Sequence, residues 1–215
     1  MMSNSQRSIS FTVGLLGAIL FMMILDPFLP KLLFSTPLLL YPFIYVLLFV
    51  FLQNGYKYLL IKKMTPQSSH LLDGQPIQRS IFNHLYYYGI LLLLSIRNIQ
   101  VLDFSTSFII QFLIAALSVE LILWYGSRSL QAEFTQAAVI IKGFDSRMDI
   151  PLNTTIYNHP GIYFYSDIQD YALEGNQLTL TLHHHRGRLH FHSSMEMQRQ
   201  LMGLFQAKGV PAKMK

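Results

Sequence analysis

The chain of 215 residues contains no cysteine. That excludes disulfides, thiolate catalysis, iron–sulfur clusters and cysteine-type zinc sites together. Charge is scarce as well. Asp, Glu, Lys and Arg make up 13% of the residues, against about a quarter in average soluble proteins. The familiar catalytic signatures are missing too: no P-loop, no G-x-S-x-G, no H-E-x-x-H and no Gly-rich dinucleotide turn. A non-enzymatic chain without a cofactor is the expectation. A strong basic field is lacking from the C-terminal part. Through Leu130 there are eight Lys/Arg against four Asp/Glu, and from Gln131 onward eight against seven. Nucleic acid is therefore not an expected partner, because phosphate binding needs concentrated positive charge.

What the sequence has in abundance is apolar length, with 52% hydrophobic residues. The run ISFTVGLLGAILFMMIL, Ile9 to Leu25, carries no charge. Only Arg7 precedes it and DPFLPK follows in place of a small-residue cleavage site, so it reads as a retained helix rather than a signal peptide. Three further blocks follow. The expected membrane region covers residues 1–130, with spans at about 9–28, 38–61, 80–99 and 106–127. A helix needs ~20 apolar residues to cross a bilayer and satisfies its own backbone there. Arg7, Lys57, Lys62, Lys63, Arg79 and Arg128 flank one set of span ends. The positive-inside rule then puts both termini and the middle loop in the cytoplasm. Tyr56, Tyr58, Tyr86–Tyr88, Trp124 and Tyr125 fit an aromatic belt near the same surface.

Glu120, in LSVELILW, is the one acid well inside a span, where such a group is costly without a partner. If the third and fourth helices turn around residues 101–102, residues whose numbers sum to about 203 share a depth. Glu120 then faces Asn83 and His84. A Glu120–His84 pair reads either as an interhelical clamp or as the proton or ion relay of a small transporter. Transporters usually carry internal repeats and interrupted helices, and no clear repeat is found here. Gly14 and Ala18 have the small-xxx-small spacing that permits close helix contact.

At Gln131 the pattern changes to short strands with turn signals: AVIIKG, TIYN, GIYFY, DIQDYALE, NQLTLTLHH and RLHFH. FDSRMDIPLNTT reads as an irregular or short-strand connection, and the stretch around Ser127 to Gln136 as the linker, a helical extension of the fourth span. SSMEMQRQLMGLFQAKG reads as an amphipathic helix with Met195, Leu201, Met202, Leu204 and Phe205 on one stripe. Ser193 or Ser194 can cap it and Gly209 can stop it. The expected fold is a membrane α-helical region plus a small α+β domain, residues 137–208, with an antiparallel sheet capped by a C-terminal helix.

GIYFYSDIQDYALEGNQLTLTL followed by an amphipathic helix resembles the pleckstrin-homology-like (PH-like) domains of small bacterial membrane proteins, the YcxB-like group and related families of unknown function. The matching features are Gly161 with its aromatic strand, the Ser166-Asp167-Ile168 step into the next strand, and the Leu178/Leu180/Leu182 alternation. The resemblance implies a multi-pass protein of the bacterial inner membrane, with a cytoplasmic PH-like domain that binds a protein partner or lipid headgroups. A homo-oligomer is compatible with it. It supplies no catalytic residues. FDSRMDIPLNTT and the histidine-rich hairpin depart from the pattern.

LTLTLHHHRGRLHFH holds five of the eight histidines. Alternation puts Leu178, Leu180, Leu182, Leu189 and Phe191 on an apolar face, and His183, Arg188, His190 and His192 on a polar one. Parity puts His184 on the apolar side. Three readings stand. One is an ordinary wet face. Another is a Zn²⁺, Ni²⁺ or Cu²⁺ site from His183, His190 and His192. The third is a partner or anionic-headgroup face of Arg186, Arg188, His190 and His192, gaining charge on mild acidification.

Overall fold

The structure, a computed structural model, describes residues 4–28, 39–65, 70–77, 80–100, 105–147 and 156–213. Among the described residues there are five α-helices: α1 (Asn4–Leu25), α2 (Leu40–Met64), α3 (Ser80–Gln100), α4 (Thr106–Ser129) and α5 (Met195–Ala207). Three of them, α1 from Arg7, α2 and α4, are long and apolar enough to cross a membrane, with mean hydropathies of 2.3, 1.5 and 2.1. The outward faces of α1 and α4 carry Leu16, Leu20, Met23, Leu113, Leu117 and Leu121, all exposed. An apolar surface of that extent suits lipid and not water. The third expected span is a helix of 21 residues.

Small residues set the α1–α2 contact. Gly14 and Ala18 are both buried. A Cβ on Gly14 would lie 3.1 Å from the Gln53 Cβ, and one on Gly17 would lie 2.9 Å from Leu52. The Tyr41 hydroxyl donates to Asp26 at 2.9 Å at the opposite end. The two helices are therefore antiparallel.

The strands are β1 (His70–Pro76), β2 (Gln131–Thr135), β3 (Ala138–Lys142), β4 (Ile156–Tyr157), β5 (Gly161–Phe164), β6 (Ile168–Glu174), β7 (Gln177–Leu182) and β8 (Gly187–His192). Seven of them form an open antiparallel path in the order β5-β3-β2-β1-β8-β7-β6, and the two-residue β4 runs parallel beside β8. The two ends of the path, β5 and β6, are joined by only the 3-10 turn Tyr165–Asp167. The sheet must therefore curl until its ends approach. Its inner face buries Phe134, Phe191, Leu178, Leu180, Leu182 and Leu189. Across this face lies α5, whose Leu201 and Phe205 are fully buried. Phe205 packs on Tyr171 and Tyr165 with ring centroids 4.8 and 6.2 Å apart. Burying each such side chain contributes about 1.5–3 kcal/mol. The Ser194 hydroxyl caps the helix, accepting from Met197 N, and Gly209 follows it at φ +69.

Three expectations change. Residues 127–136 are not a helical extension: α4 ends at Ser129 and β2 begins at Gln131. Ala132 and Phe134 point into the core, so alternation overrides the continuity with the helix. The sheet also reaches outside residues 137–208. β1, from the loop between α2 and α3, sits at its centre, paired with β2 on one side and β8 on the other. Gly74 makes room for that strand, since a Cβ there would lie 2.7 Å from the Phe134 ring. Met195, placed on the buried stripe by sequence, is 75% exposed. It stands in the first turn, beyond the edge of the core.

The sheet is fused to the bundle rather than tethered to it. Ile61 of α2 packs on Ala138, Ile140 and Ile162. β3 is thus covered on both faces, which is why AVII is a continuous apolar run. Because α1 is antiparallel to α2, the ends carrying Arg7, Lys57, Lys62, Lys63 and Arg128 all lie at the sheet end of the bundle. Arg79 lies outside the described residues.

Candidate functional site

The hairpin pairs Gln177 with His192, Thr179 with His190 and Thr181 with Arg188. The leucines between them are buried, so the polar partners share the outer face. Arg188 and His190 line a groove of about 710 Å³ together with Thr179, Thr181, Glu174 and Lys213. The Thr179 hydroxyl and His190 Nδ1 are 3.0 Å apart. The C-terminal tail forms one wall. Tyr171 N donates to the Pro211 carbonyl at 3.0 Å, and Lys213 N donates to the Tyr171 carbonyl at 2.8 Å. His192 is outside this groove and lines a second cavity, with Asp73, Asn176 and Ser194. Arg186 is exposed on the hairpin turn.

The turn itself is longer than the sequence implied. It runs through a 3-10 segment, His183–His185, and His184 adopts φ 59. His184 is exposed rather than on the apolar side, because the strand has ended before it. His183 therefore does not face His190 or His192; Thr179 and Gln177 do. Among the described residues no group of three His, Asp or Glu side chains could hold a metal ion. The geometry does not bring His183, His190 and His192 together.

Glu120 and His84 do meet. His84 Nε2 lies 3.6 Å from Glu120 Oε2, and the Tyr88 hydroxyl donates to Glu120 Oε1 at 2.6 Å. One helical turn separates His84 from Tyr88 on α3, so both reach the same carboxylate on α4. The His84 and Glu120 side chains are 40% and 52% exposed, on the outside of the bundle.

The most enclosed polar cluster was not singled out by sequence. Residues 144–147 insert between the helices and the sheet. Phe144 packs on Phe51 and Tyr125, with centroids 5.2 and 5.6 Å apart. The backbone of Asp145 is held by Asn54 of α2, and the Ser146 carbonyl accepts from the Tyr87 hydroxyl of α3. Ser146 also packs against Gly126 of α4, where a Cβ would approach it to 3.3 Å. The Asp145 carboxylate is fully buried. Arg147 binds it through Nε at 2.7 Å and Nη2 at 2.8 Å, and His159 Nδ1 lies 3.0 Å away. Burial alone would push this carboxyl up, but Arg147 and His159 outweigh it and hold it far below the usual carboxylate range. Burial and the Arg147 guanidinium lower His159, with a smaller contribution from Lys57, against the carboxylate that raises it. The ring is thus kept neutral near pH 7. His159 is a structural ligand of Asp145, not merely the turn residue that its place before Pro160 suggests.

Asn158 continues this cluster into the sheet. Along β8, β1 covers one end and β4 the other, leaving His190 between them. Asn158 fills the gap: His190 N donates to its Oδ1 at 2.7 Å, and its Nδ2 donates to the carbonyls of His190 and Ile77. Asn158 adopts φ 49, a left-handed conformation that asparagine tolerates better than most residues. Its own carbonyl accepts from Arg147 at 3.1 Å. A chain of hydrogen bonds thus runs from the groove residue His190 to Asn54 in the membrane-type helix α2.

No family model matches the chain, and no curated protein was found similar to it.

Proposed function

We propose that the chain is a four-span integral membrane protein whose sheet unit is a cytoplasmic, PH-like binding module for a protein partner, with a scaffold or regulatory role and no catalysis of its own. The pairing of β1 with β2 supports the fourth span. Paired strands lie on one side of a membrane, so the chain between them, α3 and α4, crosses an even number of times. With α4 a span, α3 is one also. The clustering of Arg7, Lys57, Lys62, Lys63 and Arg128 at the sheet end supports a cytoplasmic sheet and termini in a bacterial inner membrane. A curled seven-strand antiparallel path with one C-terminal helix over its inner face supports the PH-like reading.

The observation that carries the binding role is the groove on the outer face of β6, β7 and β8. Glu174 lines the groove together with Arg188 and Lys213, so its lining is mixed in sign. A mixed lining suits a protein surface better than a uniformly anionic headgroup layer. The test is site-specific photocrosslinking of the full chain in native membranes. A crosslinker at Thr181 is expected to capture a discrete partner that one at Gln206, on α5, does not. Arg188→Glu is expected to abolish that capture. Equal capture from both positions, or capture indifferent to R188E, rejects the groove.

The rival reading, a small transporter using Glu120 and His84, is favoured by their proximity alone. Their exposure on the outside of the bundle supports a clamp between α3 and α4 instead.

A further inference from the structure

We propose that the last turns of α2 and the end of β3 form a binding site for one anionic phospholipid of the leaflet nearest the sheet. The proposal rests on the membrane-spanning reading but concerns a different surface from the groove. A cavity of about 240 Å³ lies there, lined by Tyr58, Ile61, Lys62, Thr65, Lys142 and Gly143. Ile61 forms its floor and is buried against the sheet. Around that floor stand two ammonium groups and two hydroxyls, of which the Thr65 hydroxyl donates its one proton to the Ile61 carbonyl at 2.7 Å. Lys142 donates one of its three protons to Glu133 at 2.6 Å. Lys62 is exposed and pairs with no carboxylate among the described residues. The cavity has the composition of a headgroup site: cationic and hydroxylic at the top, apolar beneath.

The helix continues this chemistry downward. Phe51, Gly55, Tyr58, Lys62 and Thr65 follow the three- and four-residue spacing that puts them on one face. The first four are exposed. At Gly55 an added Cβ would meet nothing within 4 Å. The face therefore has an open notch one turn below the cavity, flanked by Phe51 and Tyr58. An acyl chain of a lipid whose phosphate sits at Lys62 and Lys142 would run through that notch. A soluble phosphate would use the lysines and leave the notch empty. Depth agrees, because Lys62 lies near the end of a helix about 37 Å long, longer than the ~30 Å hydrocarbon core. Basic pockets at that level attract anionic headgroups. Gly143 closes the cavity at φ +118, a conformation that a side chain would strain.

The test uses the full-length protein in detergent, given equimolar phosphatidylglycerol and phosphatidylcholine and analysed by native mass spectrometry. Retention of one phosphatidylglycerol in preference to phosphatidylcholine is expected. Lys62→Ala and Lys142→Ala should each weaken it roughly fivefold. Gly55→Leu should weaken it with no change of charge. If K142A misfolds by releasing Glu133, the exposed K62A carries the test alone. Indifference to headgroup charge, or full retention in K62A, overturns the proposal. So does displacement of the lipid by millimolar inorganic phosphate with G55L behaving as wild type, which would mark a phosphate site. Arg188→Glu should leave lipid retention unchanged while removing partner capture. Resistance of the chain to alkaline extraction of membranes reports separately on the spanning reading.

Discussion

Asn54 and Asp145, 91 residues apart in sequence, hold each other through two hydrogen bonds: Asn54 Nδ2 donates to the Asp145 carbonyl at 2.7 Å, and Asp145 N donates to Asn54 Oδ1 at 2.8 Å. Asn54 thus acts toward the 144–147 segment as a neighbouring strand would. Its Nδ2 also reaches the Val50 carbonyl at 2.8 Å. Asn54→Leu keeps the volume but leaves a buried N–H and a buried carbonyl without partners. Each such group costs about 1–3 kcal/mol. The melting temperature of N54L in detergent, followed by size-exclusion fluorescence, is expected to fall by several degrees. A melting temperature equal to wild type would show that the segment is held by its other contacts.

The His159 environment makes stability depend on pH. An unfolded histidine takes its proton near pH ~6.5, whereas the folded ring, buried beside Arg147 and Lys57, takes it only at lower pH despite Asp145. Between those values the unfolded chain binds more protons, so stability rises with pH. The contribution is complete above pH ~7 and is lost as pH falls through ~6.5 toward the folded value. Asp145, held far below its ordinary range, adds a second loss only below pH ~4. His159→Gln can keep a hydrogen bond to Asp145 without a titrating ring. The drop in melting temperature between pH 8 and pH 5 should be smaller in H159Q than in wild type. Parallel curves would assign the pH dependence to other histidines.

Glycine positions separate strain from propensity. At Gly143, φ is +118 and an added Cβ would lie 2.1 Å from the Ser129 carbonyl oxygen. That oxygen belongs to backbone and cannot swing away. Gly143→Ala should therefore disrupt the joint between α4 and β3, at a cost of more than about 3 kcal/mol. Gly203, exposed on α5, has nothing near its missing Cβ. Gly203→Ala should raise stability by up to about 1 kcal/mol through helix propensity. The two variants, compared by thermal melting and by yield of monodisperse protein, should move in opposite directions.

The parts of this fold that obey one local rule were readable from sequence. Long apolar runs gave α1, α2 and α4, the three helices long and apolar enough to cross a membrane. Alternation gave the buried Leu178–Leu182 and Leu189–Phe191 faces, and the Ser194 cap gave the start of α5. Hairpin arithmetic brought Glu120 to His84, and the structure adds Tyr88. What escaped depends on distant partners. β1 has two adjacent leucines and no alternation, and is a strand only because β2 and β8 flank it. β2 follows a helix without a turn residue between them. Asp145, Arg147 and His159 share no period, and no spacing rule links them to Asn54. The local signal was Gln53, Asn54 and Lys57, three polar residues within about one turn of an apolar helix, all of them buried.

Whether Glu120 clamps or conducts is decided by one substitution. Tyr88 donates to it at 2.6 Å and His84 stands at 3.6 Å, yet the carboxylate side chain is half exposed on the outer surface of the bundle. Exposed pairs of this kind contribute about 1 kcal/mol or less. Glu120→Gln retains an acceptor for Tyr88, so its melting temperature should stay within a few degrees of wild type. Tyr88→Phe, which removes that hydrogen bond, should also cost little because the pair is exposed, and the double variant should lose little beyond Y88F alone. A relay makes a different demand, since it needs an ionisable group that alternates between protonated and charged. In proteoliposomes with an imposed pH gradient, a chain using this relay would carry a proton-coupled flux that E120Q abolishes and that Y88F leaves largely intact. The clamp reading expects no Glu120-dependent flux and unchanged partner capture in E120Q, and either result reversed would reject it.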